Sequence, residues 1–324
     1  MDLIERALRG ERLAASRLLS EVENDTPAGR EAVDALFSRS GHAHIIGITG
    51  PSGSGKSTLV NRLALALCAD AKNDSPFKIA VIAVDPTSPF TGGALLGDRV
   101  RMRDLVLKPN IFIRSMATRG TLGGLSRAAD DAVLVLDALG FETIIVETVG
   151  AGQSEVDVVR LAHTTVVVEA PGLGDDVQAA KAGILEIADV LVVNKADKPG
   201  ADGTARALEA MLAMGNELQS TGNSQNEQRW QVPLVKTCAL DGDGVDQLHD
   251  AVQAHHTWLK AHDGWVQKNE ARLVEMLERA ARDRLYHDWL NSLDELTYKQ
   301  AVQDMLERKI SPRQVLTKFS GITS

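Results

Sequence analysis

The chain has 324 residues, of which 44% are hydrophobic and 24% charged, and its formal net charge is −9. This composition is ordinary for a globular protein built from one large domain with smaller additions. The negative charge argues against a protein that binds nucleic acids by neutralising phosphates, and the 4% aromatic content argues against base-stacking surfaces. We therefore expect no nucleic-acid partner, while a small and locally basic phosphate pocket stays compatible with the composition.

Neither a membrane segment nor a secretory signal is predicted. No apolar run approaches the length that spans a bilayer, and residues 1–6 lack the basic and then apolar layout of a signal peptide. The expected location is the cytoplasm, without membrane association. Cys68 and Cys238 are too few for a disulfide framework or a thiolate metal site, so both are interpreted as small core residues.

Helical sequence opens the chain. Leu3, Ala7 and Leu18 recur near helical spacing, and a turn-rich break follows at residues 24–30. Residues 1–40 are therefore predicted to form an N-terminal helical extension.

Short apolar runs alternate with amphipathic stretches from residue 41 to about residue 260. Most of these runs are β-branched and apolar at consecutive positions, which is typical of strands buried on both faces of a parallel sheet. The sequence thus predicts an α/β domain at 41–260, with a mostly parallel sheet flanked by helices. The predicted strands are residues 45–48, 79–84, 143–146, 165–168, 190–193 and 232–235.

Charged helical sequence without further strands follows from Trp265 onward. Residues 261–324 are therefore predicted to be a C-terminal helical arm, which packs either on the α/β domain or on a second subunit.

A phosphate-binding loop follows the first predicted strand. Residues 50–57 read Gly-Pro-Ser-Gly-Ser-Gly-Lys-Ser and match the G-x-x-x-x-G-K-[ST] motif of P-loop proteins, between a strand and a helix. Its glycines let backbone N–H groups turn towards phosphates, and the helix N-terminus adds a favourable dipole. Lys56 is expected to neutralise the β- and γ-phosphates of a nucleotide, and Ser57 to ligate magnesium. The predicted nucleotide contacts of this loop are Gly50, Ser52, Gly53, Ser54, Gly55, Lys56, Ser57 and Thr58.

Two further segments predict that the base is guanine. The predicted strand 190–193 ends in an N-K-x-D sequence at residues 194–197. The Asp197 carboxylate can accept hydrogen bonds from both the N1–H and the exocyclic amine of guanine, whereas adenine offers no such donor pair. Residues 238–240 resemble the S-A-[KL] loop that touches the guanine edge through its backbone. We therefore predict GTP and GDP as ligands, held at the base by Asn194, Lys195, Asp197, Cys238, Ala239 and Leu240.

Acidic side chains at strand ends predict a magnesium site. Glu147 follows the strand 143–146 and stands three residues before Gly150, an arrangement that resembles D-x-x-G with Glu in the acidic position. Glu147 is expected to hold the metal directly or through water, and the Gly150 amide to meet the γ-phosphate. Asp85 closes another strand, where turn capping is the alternative role, and Asp98 follows a glycine-rich stretch. The predicted metal ligands are Ser57, Asp85, Asp98 and Glu147.

The group that orients the attacking water is less well defined by the sequence. Gln153 lies three residues after Gly150, whereas Ras-like proteins place a glutamine directly after the corresponding glycine. Gln153 is therefore interpreted either as the orienting group or as a structural residue. The predicted catalytic set is Lys56, Glu147 and Gln153, and no arginine finger is fixed by spacing.

The histidines are predicted to be solvated or to cap the backbone, and not to chelate a metal ion. His42 and His44 flank one alanine, and His255 and His256 are adjacent on a predicted helix, where neighbouring side chains point about 100° apart. No cysteine joins either pair.

Five longer stretches go beyond the motifs shared by GTPases in general. They are AVDPTSP at 83–89, GGALLGDRVRM at 92–102, LGGLS at 122–126, VETVGAGQSE at 146–155 and GDDVQAAKAGI at 174–184. Together with the motifs above, they resemble the MeaB/ArgK/MMAA family of P-loop GTPase chaperones for cobalamin-dependent acyl-CoA mutases, over nearly the whole chain. Two departures occur: D-P-T-S at 85–88 replaces the family's D-P-S-S, and D-V-Q at 176–178 replaces its E-L-Q.

The resemblance implies a G domain at 41–260 with the magnesium ligands given above, a homodimer, and an extra nucleotide-responsive loop around 175–181. The helical arm would be the dimerisation element, although the sequence does not decide between that role and covering the sheet. The implied task is to gate adenosylcobalamin loading and to protect or reactivate a mutase. Methylmalonyl-CoA mutase is the expected partner, with isobutyryl- or 2-hydroxyisobutyryl-CoA mutase as alternatives.

Two other functions compete with this interpretation. A GTPase metallochaperone for a nickel enzyme shares the general fold, but normally has a Cys/His cluster near the phosphate loop, which this sequence lacks. A nucleotide-gated binding scaffold with negligible turnover is the other candidate, because Gln153 is displaced and unassisted GTP hydrolysis is slow.

Overall fold

A computed structural model describes residues 2–70, 78–86, 105, 108–118, 127–148, 154–172, 186–220 and 229–319. The chain divides into two compact units, residues 1–270 and 271–324. Within the described part of the chain, no helix combines the length and the apolarity needed to cross a membrane.

The first unit is built on a sheet of seven strands: β1 His44–Thr49, β2 Ile79–Pro86, β3 Ile111–Thr118, β4 Thr143–Thr148, β5 Thr164–Glu169, β6 Val190–Asn194 and β7 Leu234–Thr237. Their order is β3-β2-β4-β1-β5-β6-β7, and every neighbouring pair is parallel. The carboxyl ends of all strands therefore meet at one edge of the sheet and the amino ends at the other. The predicted α/β fold with a parallel sheet flanked by helices is confirmed.

Strand β3 is not among the strands predicted from the sequence, and β7 begins two residues later than predicted, at Leu234. β3 lies at the edge of the sheet, where only β2 pairs with it, and Arg114 interrupts its apolar run. A strand of this kind lacks the continuous β-branched pattern of a fully buried one. At β7, the predicted run includes Pro233, which has no N–H for a ladder hydrogen bond, and pairing with β6 begins at Leu234.

Helices cover both faces of the sheet; they are α1 Leu3–Leu8, α2 Arg12–Glu23, α3 Pro27–Leu36, α4 Lys56–Asp70, α5 Arg127–Ala138, α6 Ser154–Leu161, α7 Ala201–Ser220 and α8 Val245–Ala261. On one face, α2, α3, α5 and α6 share an apolar cluster with Ile45. On the other face, α4 and α8 share a second cluster with Ile46 and Ile48. Successive residues of a strand point to opposite faces, so both clusters need apolar side chains, and all three isoleucines are fully buried.

The N-terminal helices are joined to the sheet edge by two arginines. Arg114 of β3 forms an ion pair with Glu23 of α2. In the opposite direction, Arg12 of α2 donates to the carbonyl oxygens of Pro109 at 2.7 Å and Ile111 at 2.6 Å. The predicted N-terminal extension is therefore helical, and it belongs to the same compact unit as the sheet.

The chain continues as α9 Gly264–Asn291, α10 Glu295–Leu306 and α11 Pro312–Phe319. Helix α10 is preceded by the N-cap residue Asp294, whose side chain accepts a hydrogen bond from the Thr297 amide at 2.8 Å. The described part of the predicted arm is therefore helical, whereas its role in dimerisation stays a prediction.

Candidate nucleotide-binding site

The predicted phosphate and base segments converge at the carboxyl edge of the sheet. The phosphate loop leaves β1 after Thr49 and leads into α4, which begins at Lys56. Asn194 is the last residue of β6, and the 238–240 loop leaves β7. A ligand crevice outside the carboxyl ends of parallel strands is the usual site in such folds.

Two glycines let the phosphate loop pass close to its neighbours. Gly50 has φ of 138°, and a Cβ atom there would lie 2.1 Å from the Val168 carbonyl oxygen of β5. Gly55 has φ of 91°, and a Cβ atom there would lie 2.4 Å from Nδ2 of Asn194. Both positions combine a left-handed backbone with contact distances that only glycine tolerates.

Lysine side chains lie against the carbonyl groups of the same loop. The Lys56 ammonium donates to the carbonyl oxygens of Gly50 at 2.7 Å and Pro51 at 2.9 Å. Lys195, whose φ is 57°, donates to the Gly53 carbonyl oxygen at 2.7 Å. Two positive charges therefore sit at the loop that is predicted to bind a polyphosphate.

Asn194 joins the phosphate loop to the 238–240 loop. Its Nδ2 donates to the Ser54 carbonyl oxygen at 2.8 Å, and its Oδ1 accepts from the Ala239 amide at 3.1 Å and from the Thr237 hydroxyl at 3.1 Å. The side chain is buried, so these bonds satisfy polar groups that water does not reach. Asn194 thus holds three segments of the predicted site together.

Asp197 presents a charged and accessible carboxylate beside this loop. Its side chain is 41% exposed and lies 3.1 Å from Nζ of Lys198. The hydrogen bond from Lys198, followed by that from the Cys238 thiol at 3.4 Å, holds the pKa of Asp197 below its ordinary value. An ionised carboxylate accepts hydrogen bonds only, which is what two guanine donors require.

Cys238 contacts two carboxylates, whereas the sequence predicts a small core residue at this position. It is buried, as expected, but its thiol lies 3.0 Å from Oδ2 of Asp241 as well as near Asp197. The hydrogen bond to Asp241 raises the pKa of the thiol, and Asp197 adds to that effect. Cys68 is half-buried.

Ser57 and Glu147 meet at the start of α4. The Ser57 hydroxyl donates to Oε1 of Glu147 at 2.7 Å, and Glu147 is buried. Both are hard oxygen donors of the kind that magnesium prefers. Oxygens at adjacent positions of a magnesium octahedron lie about 3 Å apart, since each metal–oxygen distance is about 2.1 Å. The pair therefore fits adjacent positions around a magnesium ion.

Comparison with known proteins identifies the family. Residues 15–293 match the family described as methylmalonyl Co-A mutase-associated GTPase MeaB. The chain belongs to the MeaB family. It is 48% identical over 277 residues to a putative GTPase of Pyrococcus abyssi, which covers 86% of this chain and 82% of that protein. It is 34% identical over 325 residues to GTPase ArgK of Escherichia coli, which covers 98% of this chain and 95% of that protein. The solved structure of LAO/AO transport system kinase aligns with a TM-score of 0.67 and 25% identity, over 98% of this chain and 95% of that one.

Membership of the MeaB family confirms a P-loop GTPase that binds and hydrolyses GTP. Among the predicted site residues of this GTPase, the structure brings together the phosphate loop, Glu147, the 194–197 segment and the 238–240 loop. Asp85 lies in β2, paired with Ala117 of β3, but its side chain is outside the described residues. Asp98, Gly150, Gln153 and the loop at 175–181 also lie outside them.

In this MeaB-family chain, the prediction that the histidines are solvated or cap the backbone is wrong for His44, His255 and His256. His44 and His255 are only 3% and 1% exposed, and both hydrogen-bond to the Thr164 hydroxyl, at 2.7 and 2.9 Å. His256 is half-buried and stacks on His44 with ring centroids 4.1 Å apart. His44 and Thr164 begin β1 and β5, so this network lies at the amino edge of the sheet. His42 is exposed, as expected.

Asp189 completes the network at the amino edge. Its carboxylate lies 3.3 Å from Nε2 of His255, accepts from the Thr165 amide at 2.8 Å, and pairs with Lys268 at 3.0 Å. The Trp230 indole donates to its carbonyl oxygen at 2.7 Å. The role of Asp189 is not predicted from the sequence, because its local pattern is that of any loop aspartate before a strand.

Burial keeps these imidazoles neutral. It lowers the pKa of His255 to about 4 despite the opposing charge of Asp189, and it lowers the pKa of His256 to about 4. The pKa of His44 is lowered as well, first by burial and then by His256 and His163. Protonation of any of them would place a positive charge among groups arranged around neutral rings.

We expect acid to destabilise the folded protein through His255. The histidine pKa is about 6.5 in an unfolded chain and about 4 in the folded protein. Between these values the unfolded chain binds more protons, so the free energy of unfolding falls as the pH drops from about 6.5 towards 4. In His255→Gln, the free energy of unfolding should fall less than in wild type between neutral pH and pH ~4. The difference should be ~1 kcal/mol or more, since one pKa unit corresponds to about 1.4 kcal/mol.

Urea unfolding of wild type and variant at several pH values measures this difference. His42→Gln, which removes an exposed imidazole outside the network, is the matched control and should keep the wild-type pH dependence. Identical pH dependence in wild type and His255→Gln would contradict the assignment.

Proposed function

We propose that this MeaB-family GTPase binds its guanine nucleotide with magnesium at the carboxyl edge of the sheet and serves a cobalamin-dependent acyl-CoA mutase as a cytoplasmic chaperone. The Asn194 bridge is the observation that best supports the site, because it holds the phosphate loop and the 238–240 loop in one cluster. The family description, a GTPase associated with methylmalonyl-CoA mutase, supports the partner.

The phosphate loop and α4 would bind the phosphates and stabilise the transition state. Helix α4 begins at Lys56, so the positive end of its dipole lies at the loop. The Lys56 ammonium adds a full positive charge there. During hydrolysis, negative charge spreads over the oxygens of the transferred phosphoryl group, and fixed positive groups stabilise that charge without having to reorganise.

Ser57 and Glu147 would hold magnesium, with Asp85 and Asp98 as the further proposed ligands. The ion, when bound, would neutralise phosphate charge. Glu147 is suited to this role because its carboxylate lies 2.7 Å from the Ser57 hydroxyl at the first turn of α4. In the same proposal the Gly150 amide contacts the γ-phosphate, and Gln153 either orients water or is structural.

Asp197 would select guanine, and the 238–240 loop would contact the edge of the base. The carboxylate is exposed, ionised and placed beside Cys238, which leads that loop. Bonds to two donors of one base reject adenine because the carboxylate would then face an acceptor.

The proposed chaperone gates adenosylcobalamin loading and protects or reactivates the mutase, with methylmalonyl-CoA mutase first and isobutyryl- or 2-hydroxyisobutyryl-CoA mutase next. GTP and GDP states would bias which mutase conformation is bound. A homodimer through the helical arm is part of the proposal. It is supported by large apolar side chains exposed on α9 and α10, namely Leu277, Leu285, Leu296 and Leu306.

The nickel metallochaperone alternative receives no support from the described ranges. Within them, no group of three or more histidine, cysteine, aspartate or glutamate side chains is placed to hold a metal ion. The alternative of a scaffold with negligible turnover differs from the chaperone in whether a mutase accelerates GTP hydrolysis.

Asp197→Asn should weaken GTP binding and shift preference towards xanthine nucleotides. Each hydrogen bond to a charged group contributes about 1.5–3 kcal/mol, so GTP affinity should fall ~10-fold or more while XTP affinity rises. Calorimetric titration with GTP, XTP and ATP measures the change. Asp202→Asn is the control and should bind like wild type, because Asp202 is an exposed residue of α7 that pairs with Lys236 of β7. Unchanged GTP affinity in Asp197→Asn would refute base recognition by this carboxylate.

Glu147→Gln should impair hydrolysis more than nucleotide binding. The amide keeps an oxygen for the Ser57 hydroxyl but removes the negative charge that magnesium requires. We therefore expect GDP affinity in EDTA to be retained, while the magnesium-dependent gain in affinity and the hydrolysis rate both fall ~10-fold or more. Glu142→Gln, which precedes β4 at the opposite edge of the sheet, is the control. Parallel losses with and without magnesium would exclude a metal-specific role.

A cobalamin-dependent mutase should bind the chain in a nucleotide-dependent way. We expect purified methylmalonyl-CoA mutase from the same organism to bind the immobilised GTPase in the presence of magnesium and a non-hydrolysable GTP analogue. The mutase should also accelerate single-turnover GTP hydrolysis. Lys56→Ala, which lacks the phosphate-binding ammonium, should lose both effects. If none of the three candidate mutases changes the rate of GTP hydrolysis, the scaffold with negligible turnover is favoured over the chaperone.

A further inference from the structure

Arg62 links the phosphate-binding helix to the loop that follows β7. Its Nε donates to the Ala239 carbonyl oxygen at 3.1 Å, and its Nη2 donates to the Leu240 carbonyl oxygen at 2.6 Å. Arg62 lies on α4, six residues after Lys56, and is separated from Ala239 by 177 residues of sequence. None of the four GTPase motifs, at residues 50–57, 147–150, 194–197 and 238–240, includes it.

The two hydrogen bonds complete the anchoring of the loop. The Ala239 amide is already held by Asn194 Oδ1 at 3.1 Å, so Arg62 fixes the carbonyl side of the same residue. Within the loop, the amides of Asp241 and Gly242 bond to the Cys238 carbonyl oxygen at 3.1 and 2.8 Å. These local bonds shape the turn, whereas Asn194, Asp197 and Arg62 connect the loop to the rest of the site, Asp197 through the Cys238 thiol.

Apolar packing does not provide the same anchor at the tip of the loop. Ala239 is only 3% exposed, but Leu240 is 74% exposed and therefore has little packing to hold it. The planar guanidinium can donate two hydrogen bonds in a fixed fork, which the single ammonium of lysine cannot reproduce. The position of the Leu240 backbone therefore depends on Arg62.

We propose that Arg62 is a positioning residue that fixes the 238–240 loop relative to the phosphate helix and thereby sets selectivity for guanine. This inference rests on the proposed base site at Asp197 and the 238–240 loop. Arg62 acts through backbone carbonyls and does not itself need to touch the nucleotide. Because α4 also carries Lys56 and Ser57, the contact fixes the distance between the phosphate and base subsites.

Arg62→Ala should reduce the base-dependent part of nucleotide affinity and leave the phosphate part intact. The two hydrogen bonds that hold the loop are lost, so affinity for GTP and GDP should fall ~10-fold, and the GTP/ATP affinity ratio should fall with it. Affinity for inorganic tripolyphosphate should stay within about twofold of wild type. Arg62→Lys should recover part of the guanine affinity, because one donor can still reach the loop.

Competition against a fluorescent GDP analogue measures all four ligands. Arg206→Ala is the matched control, since Arg206 is exposed and its Nε donates to the Asp202 carbonyl oxygen of its own helix at 3.3 Å. Arg62→Gln, with its shorter polar side chain at an exposed site, provides a second variant should the alanine variant fail to fold. It should show the same loss of guanine affinity.

Equal losses for GTP and tripolyphosphate would overturn the inference, because they would indicate damage to the phosphate helix. Unchanged GTP affinity would overturn it as well. Asp197→Asn, measured in parallel, separates this inference from the proposed base site. Should that variant lose guanine selectivity while the Arg62 variants keep it, only the role of Arg62 fails. Should Asp197→Asn keep wild-type selectivity, the base site itself fails.

Discussion

One buried amide side chain governs the geometry of the nucleotide site. Asn194 donates to Ser54 in the phosphate loop and accepts from Ala239 in the loop after β7, so its side chain holds these two loops together. The contact depends on Gly55, where a Cβ atom would come within 2.4 Å of the amide nitrogen. A larger residue at position 55 would displace Asn194, and the 238–240 loop would lose its hydrogen bond to that side chain. The glycine of the phosphate motif therefore matters for the base subsite as well as for phosphate binding.

The two edges of the parallel sheet use polar groups in opposite ways. At the carboxyl edge, Asp197 is exposed and keeps its charge, as a ligand site requires. At the amino edge, His44, His255 and Thr164 form a buried network in which the imidazoles are neutral. Hydrogen bonds satisfy the buried groups there, and burial works against protonation. A parallel sheet makes this division possible because all strand ends of one kind lie together.

Local signals in the sequence are sufficient to predict the buried strands of the sheet, the phosphate loop and the family. Buried parallel strands show continuous β-branched runs, and the glycine-rich motif follows directly from the first of them. Edge strand β3 lacked such a run, and Pro233 shifted the start of β7. The contacts of Arg62 with Ala239 and of Asp189 with His255 join residues far apart in the chain, and no spacing rule predicts them. His44, at the start of β1, was misinterpreted because its surroundings come from the distant helix α8, which carries His255 and His256.

The position of Cys238 has a consequence for chemical modification. The chain has two cysteines, and the thiol of Cys238 is buried between the carboxylates of Asp241 and Asp197, which raise its pKa. Oxidants and alkylating reagents attack the thiolate, so a thiol that holds its proton in a negative environment reacts slowly. The 238–240 loop is thereby protected from peroxide and from thiol-directed labels, and half-buried Cys68 is left as the more accessible point for attaching a probe.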